Sequence, residues 1–180
     1  MSEGTTVDLL ILRLIHIGVG AFWVGAVFTN VLFLQPAAAA LGPDGGRFMF
    51  RLIRHGRFPM AILGSAILTV VSGIVLLWMT TDGLDIARLL AANRLGFTVG
   101  GIAAILTFAV GSLYVFPRTE RLAELMGAVM AEQRPPTGDE QATLMRLRTE
   151  LLRAGWVTVA GLAIAVVAMA TGRYWGVVLG

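Results

Sequence analysis

The sequence contains no cysteine, and charged residues make up only 14% of its 180 residues. Without cysteine the chain can form no disulfide and no thiolate metal site. It also lacks a phosphate-binding loop, paired carboxylates inside an apolar stretch, and a nucleophile beside a plausible base. The glycines around residue 20 lie within an apolar helical stretch, whereas a dinucleotide-binding fingerprint follows a strand. The sequence therefore predicts neither hydrolytic nor nucleotide chemistry.

Apolar residues are abundant instead: they make up 57% of the chain, and the mean hydropathy is +0.80. These values are typical of an integral membrane protein. Four stretches are long enough to cross roughly 30 Å of hydrocarbon at about 1.5 Å per residue, namely 9–35, 58–79, 95–116 and 154–178. The first is too long, and begins too close to acidic residues, for a cleaved signal peptide. We predict an all-α, polytopic membrane protein in which residues 1–180 form a single domain, a bundle of four transmembrane helices.

The placement of the basic residues predicts the topology. All 14 are arginine, because the chain has no lysine, and ten of them fall in the first and third connections between the apolar stretches. Positive residues accumulate on the cytoplasmic side, so both connections are expected in the cytoplasm. Both termini are then on the periplasmic side of a bacterial inner membrane. Arginines grouped beside spans predict contact with the lipid bilayer and no nucleic-acid partner, despite a pI of about 10.5.

The first connection is predicted to contain an interfacial helix over residues 46–57. One helical face carries Arg47, Arg51 and Arg54, while Phe48, Leu52 and Ile53 lie largely on the other. Such a helix lies along a membrane surface, with apolar side chains at the acyl boundary and arginine stems extended toward phosphates. His55 has arginine neighbours that disfavour its charged form, so we interpret it as a neutral interfacial residue.

The third connection is predicted to be a cytoplasmic helical hairpin over residues 117–153 that extends the third and fourth helices. Thr137 and Glu140 have the spacing of a capping box at the start of its second helix. Two apolar stripes follow helical periodicity, one formed by Leu122, Leu125, Met126, Val129 and Met130 and the other by Leu144, Leu147 and Leu151. Either the stripes pack on each other, or they dock a second copy or a membrane-complex partner. The second alternative describes a non-enzymatic interaction or assembly subunit.

His16 is the candidate functional residue, because placing a polar ring in hydrocarbon costs free energy unless its nitrogens have a partner. It lies roughly 10 Å below the predicted outer boundary, where the other stretches supply mostly small residues. Small residues let helices pack closely, and they equally leave a slot for a planar macrocycle. For a bound cofactor the expected residues are His16 and Met169 as ligands, with Trp23 on the same stripe as His16 and Arg13, Arg94 and Arg173 near haem propionates.

Three interpretations of His16 follow from the residues. It is a ligand of b-type haem or copper; or it is a packed residue bonded to Ser72, Thr98 or Thr107; or it belongs to a proton path with Asn30 and the hydroxyls of the second stretch. His55 is expected on the opposite leaflet, roughly 20 Å away, so one haem cannot be held by both histidines of one chain.

Short motifs in three of the stretches carry a resemblance to a known group. Six residues separate His16 from Trp23-Val24-Gly25, an arginine-rich run leads into Phe58-Pro59-Met60-Ala61-Ile62-Leu63, and the last stretch reads Val167-Ala168-Met169-Ala170-Thr171-Gly172-Arg173-Tyr174. The chain resembles the copper-resistance protein D domain and the small haem-binding protoporphyrinogen oxidase of bacteria. This resemblance implies a four-helix membrane architecture in which His16 binds copper or haem. The oxidase also implies a lysine near the haem in the third helix, which this chain lacks, so its activity is not carried over.

Overall fold

The computed structural model describes the backbone of residues 3–179 and the side chains of residues 6–178. Every regular element in this part of the chain is helical, and residues 3–179 contain no strand. In chain order the elements are α1 (Glu3–Thr29), a π-helical turn (Asn30–Leu34), α2 (Gln35–Ala40), α3 (Pro43–Arg54), α4 (Phe58–Thr80), α5 (Ile86–Leu89), α6 (Ala92–Val110), a second π-helical turn (Gly111–Val115), α7 (Phe116–Ala131), α8 (Gly138–Thr171), a 3-10 turn (Gly172–Tyr174) and α9 (Trp175–Leu179).

Within the described residues, four helical segments are long and apolar enough to cross a membrane: Thr6–Ala40, Phe58–Thr80, Ala92–Ala131 and Gly138–Val178. Each contains one of the four predicted stretches. The prediction of an all-helical chain with four long apolar helices is therefore confirmed, and four such helices indicate a membrane protein. The third and fourth segments continue well beyond their apolar parts, because their polar continuations also have helical periodicity.

Two of these segments contain a π-helical turn that ends just before a proline. Asn30–Leu34 precedes Pro36, and Gly111–Val115 precedes Pro117. A proline in a helix has no N–H to donate, and its ring crowds the carbonyl oxygen of the preceding turn. In each case the residue before the proline donates its N–H to the carbonyl oxygen five residues earlier. This wider turn accommodates the proline, and the helical segment continues through it.

The contacts within the chain divide it into two compact units. The first consists of the described residues within Met1–Val24, Gly64–Phe108 and Ala160–Gly180, and it contains His16. The second consists of Gly25–Leu63 and Ala109–Val159.

In the first unit α6 and α8 pack closely through glycines. An ideal Cβ built on Gly96 would lie 2.8 Å from the carbonyl oxygen of Ala168, and one built on Gly100 would lie 2.6 Å from Cγ of Met169. Real Cβ atoms do not approach so closely, so a larger residue at Gly96 would require the backbone around Ala168 and Gly172 to move, and one at Gly100 would require the Met169 side chain to move. At this pair of helices the predicted layer of small residues is used for helix packing, and it leaves no slot for a macrocycle.

In the second unit α7 and the first half of α8 have an apolar core of their own. Leu122, Met126, Leu147 and Leu151 are buried together, and Phe50, Val115 and Leu144 pack against them. The two predicted stripes therefore pack on each other, which is the first of the two alternatives drawn from the sequence. We call this pair of helices the hairpin.

Helix α3 packs against the hairpin. Its Phe50 contacts the hairpin core, whereas Phe48 stays 46% exposed. Arg54 forms an ion pair with Glu120 of α7 at 3.3 Å. The helix begins and ends three residues earlier than the predicted 46–57, and part of its apolar surface covers the hairpin rather than facing acyl chains.

The tip of the hairpin has the predicted capping box. The Thr137 N–H donates to Oε2 of Glu140 at 2.8 Å, and the Glu140 N–H donates to Oγ1 of Thr137 at 3.4 Å. Arg134 adds two bonds, since its Nη1 and Nη2 donate to the two carboxylate oxygens of Glu140 at 2.7 and 2.9 Å. The Arg134 guanidinium first, and then the Thr137 amide, lower the pKa of Glu140 to about 2 because both stabilise the ionised carboxylate.

This pairing predicts an acid-sensitive hairpin tip. A carboxyl group whose pKa is lowered by folding stabilises the fold above its unfolded pKa, and that contribution is lost as the pH falls toward the folded value. Protection of the amides of residues 137–141 from hydrogen exchange should therefore decline between pH 4.5 and about pH 2. In Glu140→Gln the protection should already be low at neutral pH and should change little on acidification. Glu124→Gln, at an exposed glutamate of α7, is the matched control. Equal protection in Glu140→Gln and the wild type at neutral pH would contradict the prediction.

Candidate functional site

His16 lies within α1 and is bonded to α4. Its Nδ1 is 2.9 Å from the carbonyl oxygen of Thr69 and 3.1 Å from Oγ of Ser72. Ser72 was one of three hydroxyl partners predicted for this ring, and it is confirmed. The other two, Thr98 and Thr107, donate to backbone carbonyl oxygens instead. The Thr69 carbonyl oxygen could not be predicted, because every residue has one and the sequence carries no signal for it.

These neighbours determine which nitrogen of the neutral ring carries the proton. A carbonyl oxygen can only accept, so Nδ1 is the N–H that donates to Thr69. The Ser72 hydroxyl donates its own proton to the carbonyl oxygen of Leu68 at 2.6 Å, and its oxygen can therefore also accept from Nδ1. Nε2 has no hydrogen-bond partner in the part of the chain that the structure describes. Its lone pair is thus available to a metal, a haem iron or a proton.

Glycine at position 73 makes room for the ring. An ideal Cβ built on Gly73 would lie 2.8 Å from Cε1 of His16 and 3.3 Å from Nδ1. Any larger residue there would displace the imidazole from Thr69 and Ser72. One turn along α1, a Cβ on Gly20 would lie 3.3 Å from Cγ2 of Thr69, so α1 and α4 are also close at this level.

Met169, the second predicted ligand, contacts a different helix. Its Cγ lies against Gly100 of α6, whereas the contacts of His16 are with α4. The two predicted ligands therefore contact different helices: His16 of α1 contacts α4, and Met169 of α8 contacts α6. Met169 occupies the space beside a glycine, as methionine commonly does in irregular gaps.

The other residues predicted for the site also lie in the first unit. Trp23, two turns after His16 on α1, is buried, with 4% of its surface exposed. Arg13, one turn before His16, is exposed, as is Arg173, whose guanidinium lies 4.9 Å from the ring centroid of Tyr174. The structure brings His16 together with Thr69, Ser72 and Gly73, and its ring nitrogens form no hydrogen bond with Arg13 or Arg173.

The described residues contain no multi-ligand metal centre, and the residues of the predicted proton path belong to two different units. Among residues 3–179 there is no group of three or more histidine, aspartate or glutamate side chains that could hold a metal ion. Asn30, which the sequence associated with His16, lies in the second unit at the start of a π-helical turn, where its Oδ1 is buried without a hydrogen bond from the described residues. The described side chains therefore offer a metal a single imidazole at His16.

Comparisons of the chain with family models, with curated proteins and with solved structures find no match. Its class is thus defined by its own fold and site. Over residues 3–179 it is all-helical, with four helices of membrane-spanning length and one histidine within the first of them.

Proposed function

We propose that the protein spans a bacterial inner membrane four times, with both termini periplasmic and the hairpin in the cytoplasm. The four long apolar helices support membrane insertion. Ten of the 14 arginines lie in the first and third connections, which supports this orientation. The close contacts of α6 with α8 support a packed bundle, since small residues are what lets transmembrane helices approach one another.

We propose further that this protein binds b-type haem, which Nε2 of His16 would hold. The observation that carries the proposal is the bond from Nδ1 to the Thr69 carbonyl oxygen. Histidines that ligate a metal through one nitrogen generally donate the other N–H to a carbonyl or carboxylate, which fixes the tautomer and the ring orientation. Ser72 and Gly73 provide the rest of that support, the first by a hydrogen bond and the second by leaving space.

The surrounding residues suit a haem held by one histidine better than the predicted copper site. Cu(I) prefers thiolate and thioether ligands, but the chain has no cysteine and Met169 packs against Gly100. Haem needs only one strong ligand from the chain, and the exposed guanidinium of Arg13 could pair with a propionate. When bound, haem would supply a redox-active iron. His16 would hold the haem, and Thr69 and Ser72 would orient the His16 imidazole.

The proposal is tested by the absorption spectrum of the full chain purified from haem-supplemented cells. The wild type should show a Soret band, and His55→Ala should keep it, because His55 lies outside the site. His16→Gly should weaken haem binding at least about 100-fold, and added imidazole should restore the band by occupying the vacated space. Ser72→Ala, which removes one supporting bond, should weaken binding about 10-fold.

Two results would overturn the proposal. One is a wild-type protein that shows no Soret band when haem is supplied. The other is a band that His16→Gly retains unchanged. Imidazole rescue separates loss of the ligand from misfolding, since a misfolded variant would not recover its band. If either result is obtained, His16 is a packing residue that joins α1 to α4.

Docking of a partner or a second copy through the hairpin is the alternative function. The two stripes proposed for it have Leu122, Met126, Leu147 and Leu151 buried against one another. A partner would therefore have to use the residues that stay exposed, such as Met130 and Met145, which are 37% and 63% exposed.

A further inference from the structure

A groove lies between α7 and α8 in the second unit, on the side of the hairpin where three arginines meet. Its volume is about 360 Å³, and it is lined by Pro117, Arg118, Arg121, Arg146, Leu147 and Glu150. Three of these six residues are cations and one is an anion. The groove is thus a basic cavity of a size suited to a small anionic group.

Arg118 is held in place by three contacts. Its Nε donates to Oε2 of Glu150 at 3.0 Å, and its Nη1 donates to the carbonyl oxygen of Tyr114 at 3.2 Å. Its guanidinium carbon also lies 3.4 Å from the centroid of the Tyr114 ring. Arginine stacked on an aromatic ring and bonded to a carboxylate is oriented before any ligand arrives. Arg118 therefore lines the groove in a fixed orientation.

Arg121 and Arg146 supply the charge that is not compensated. Arg146 and Glu150 have the spacing of an ion pair within one helix, but Glu150 bonds to Arg118 on the other helix. In the part of the chain that the structure describes, neither Arg121 nor Arg146 forms an ion pair, and both side chains are exposed. With one of the three cations matched by Glu150, the groove has a net charge of about +2.

The position of the groove along the helices indicates which kind of anion would enter it. Pro117 lies just past the apolar part of the third helical segment. Leu113, one turn earlier, is 78% exposed, and on α8 Val157, two turns after Glu150 and on the same helical face, is 58% exposed. A ligand with a phosphate and an apolar tail would meet arginines at one end and exposed apolar side chains at the other. Arginine is suited to phosphate because its planar fork donates two parallel hydrogen bonds.

We propose that this groove binds the phosphate group of an anionic phospholipid, with Arg121 and Arg146 as hydrogen-bond donors and Arg118 lining the groove in its fixed orientation. The inference rests on the proposed membrane insertion and is independent of haem binding. A soluble phosphate ester presents the same chemistry to the arginines, and the experiment below separates the two sources.

The test is a lipid titration of the full chain in detergent, with occupancy read by native mass spectrometry. Phosphatidylglycerol should bind at least about 10-fold more tightly than phosphatidylcholine with the same acyl chains. The double variant Arg121→Gln/Arg146→Gln should weaken phosphatidylglycerol binding about 30-fold, since each basic residue near an anionic lipid contributes about fivefold. Arg88→Gln/Arg173→Gln removes two exposed arginines of the first unit, outside the groove, and its affinity for phosphatidylglycerol should stay within about twofold of the wild type.

Glu150→Gln should change the affinity for phosphatidylglycerol in the opposite direction. Removal of the only acid in the groove should tighten phosphatidylglycerol binding about fivefold, whereas a misfolded hairpin would bind more weakly. Glycerol 3-phosphate is the soluble comparison. If it binds, is weakened by Arg121→Gln/Arg146→Gln as predicted for phosphatidylglycerol, and the lipid itself does not bind, the groove is a phosphate site whose ligand is a soluble ester.

Two outcomes would overturn the inference: equal binding of the two lipids, or equal weakening by the two double arginine variants. A chain that fails to insert into lipid nanodiscs would instead contradict the proposed membrane topology. An inserted chain that does not discriminate between the lipids would contradict only the groove.

Discussion

Replacement of Leu147 by alanine is expected to destabilise the hairpin by about 2–5 kcal/mol. Leu147 is only 4% exposed, and it packs with Leu122 and Met126 of α7 and with Leu151 of its own helix. Truncation removes apolar contacts and leaves a cavity that close-packed neighbours fill only in part. The hairpin core is small, so no other buried leucine can compensate. Amide hydrogen exchange across residues 118–130 and 140–151 would measure the loss.

The control for this prediction is Met145→Ala, two residues away on the same helix. Met145 is 63% exposed, so its truncation should change the stability by no more than about 0.5 kcal/mol. Similar losses in the two variants would mean that the stripes do not form the core of the hairpin. They would then be available to a partner, as the second interpretation of the sequence proposed.

Replacement of Gly96 by alanine should destabilise the packing of α6 against α8 by about 1–3 kcal/mol. The new methyl group would meet the carbonyl oxygen of Ala168 and the backbone of Gly172. Backbone atoms cannot rotate away as a flexible side chain can, so one helix must move. The loss should appear as a lower Tm in detergent, followed by tryptophan fluorescence.

Gly18→Ala is the matched control within another apolar helix. Nothing lies within 4 Å of an ideal Cβ at Gly18, so the same substitution meets open space there. Alanine is favoured over glycine in helices by up to about 1 kcal/mol, and the Tm should stay the same or rise. A Gly96→Ala protein as stable as Gly18→Ala would show that α6 and α8 do not rely on a close approach.

Features set by neighbours along the chain could be predicted from the sequence. Four apolar runs of sufficient length predict four long helices, because length and hydropathy are local properties. The capping box of Thr137 and Glu140 also follows from spacing alone, since both partners lie within one turn. The position of His16 within the first apolar run is equally visible in the sequence, as is its proximity in depth to Ser72 and Gly73.

Features that depend on which helices meet could not be predicted in the same way. Glu150 lies one turn from Arg146 in the sequence, yet it pairs with Arg118 of the facing helix. Met169 is predicted at the depth of His16, but its contact is with Gly100. Depth along a helix can be counted from residues, whereas the face that each helix turns toward a neighbour depends on packing angles.

The sequence by itself determined an all-helical chain with four apolar segments, arginines concentrated in two connections, and one histidine inside the first segment. Only the tertiary structure decided that Nδ1 of His16 bonds to Thr69 and Ser72 while Nε2 is left without a partner from the described residues. It also decided that the predicted layer of glycines closes at α6 and α8 instead of forming a slot. The physical reason is that helix formation follows local hydrogen bonding and hydropathy, whereas the partners of a side chain follow from the rotation and approach of whole helices.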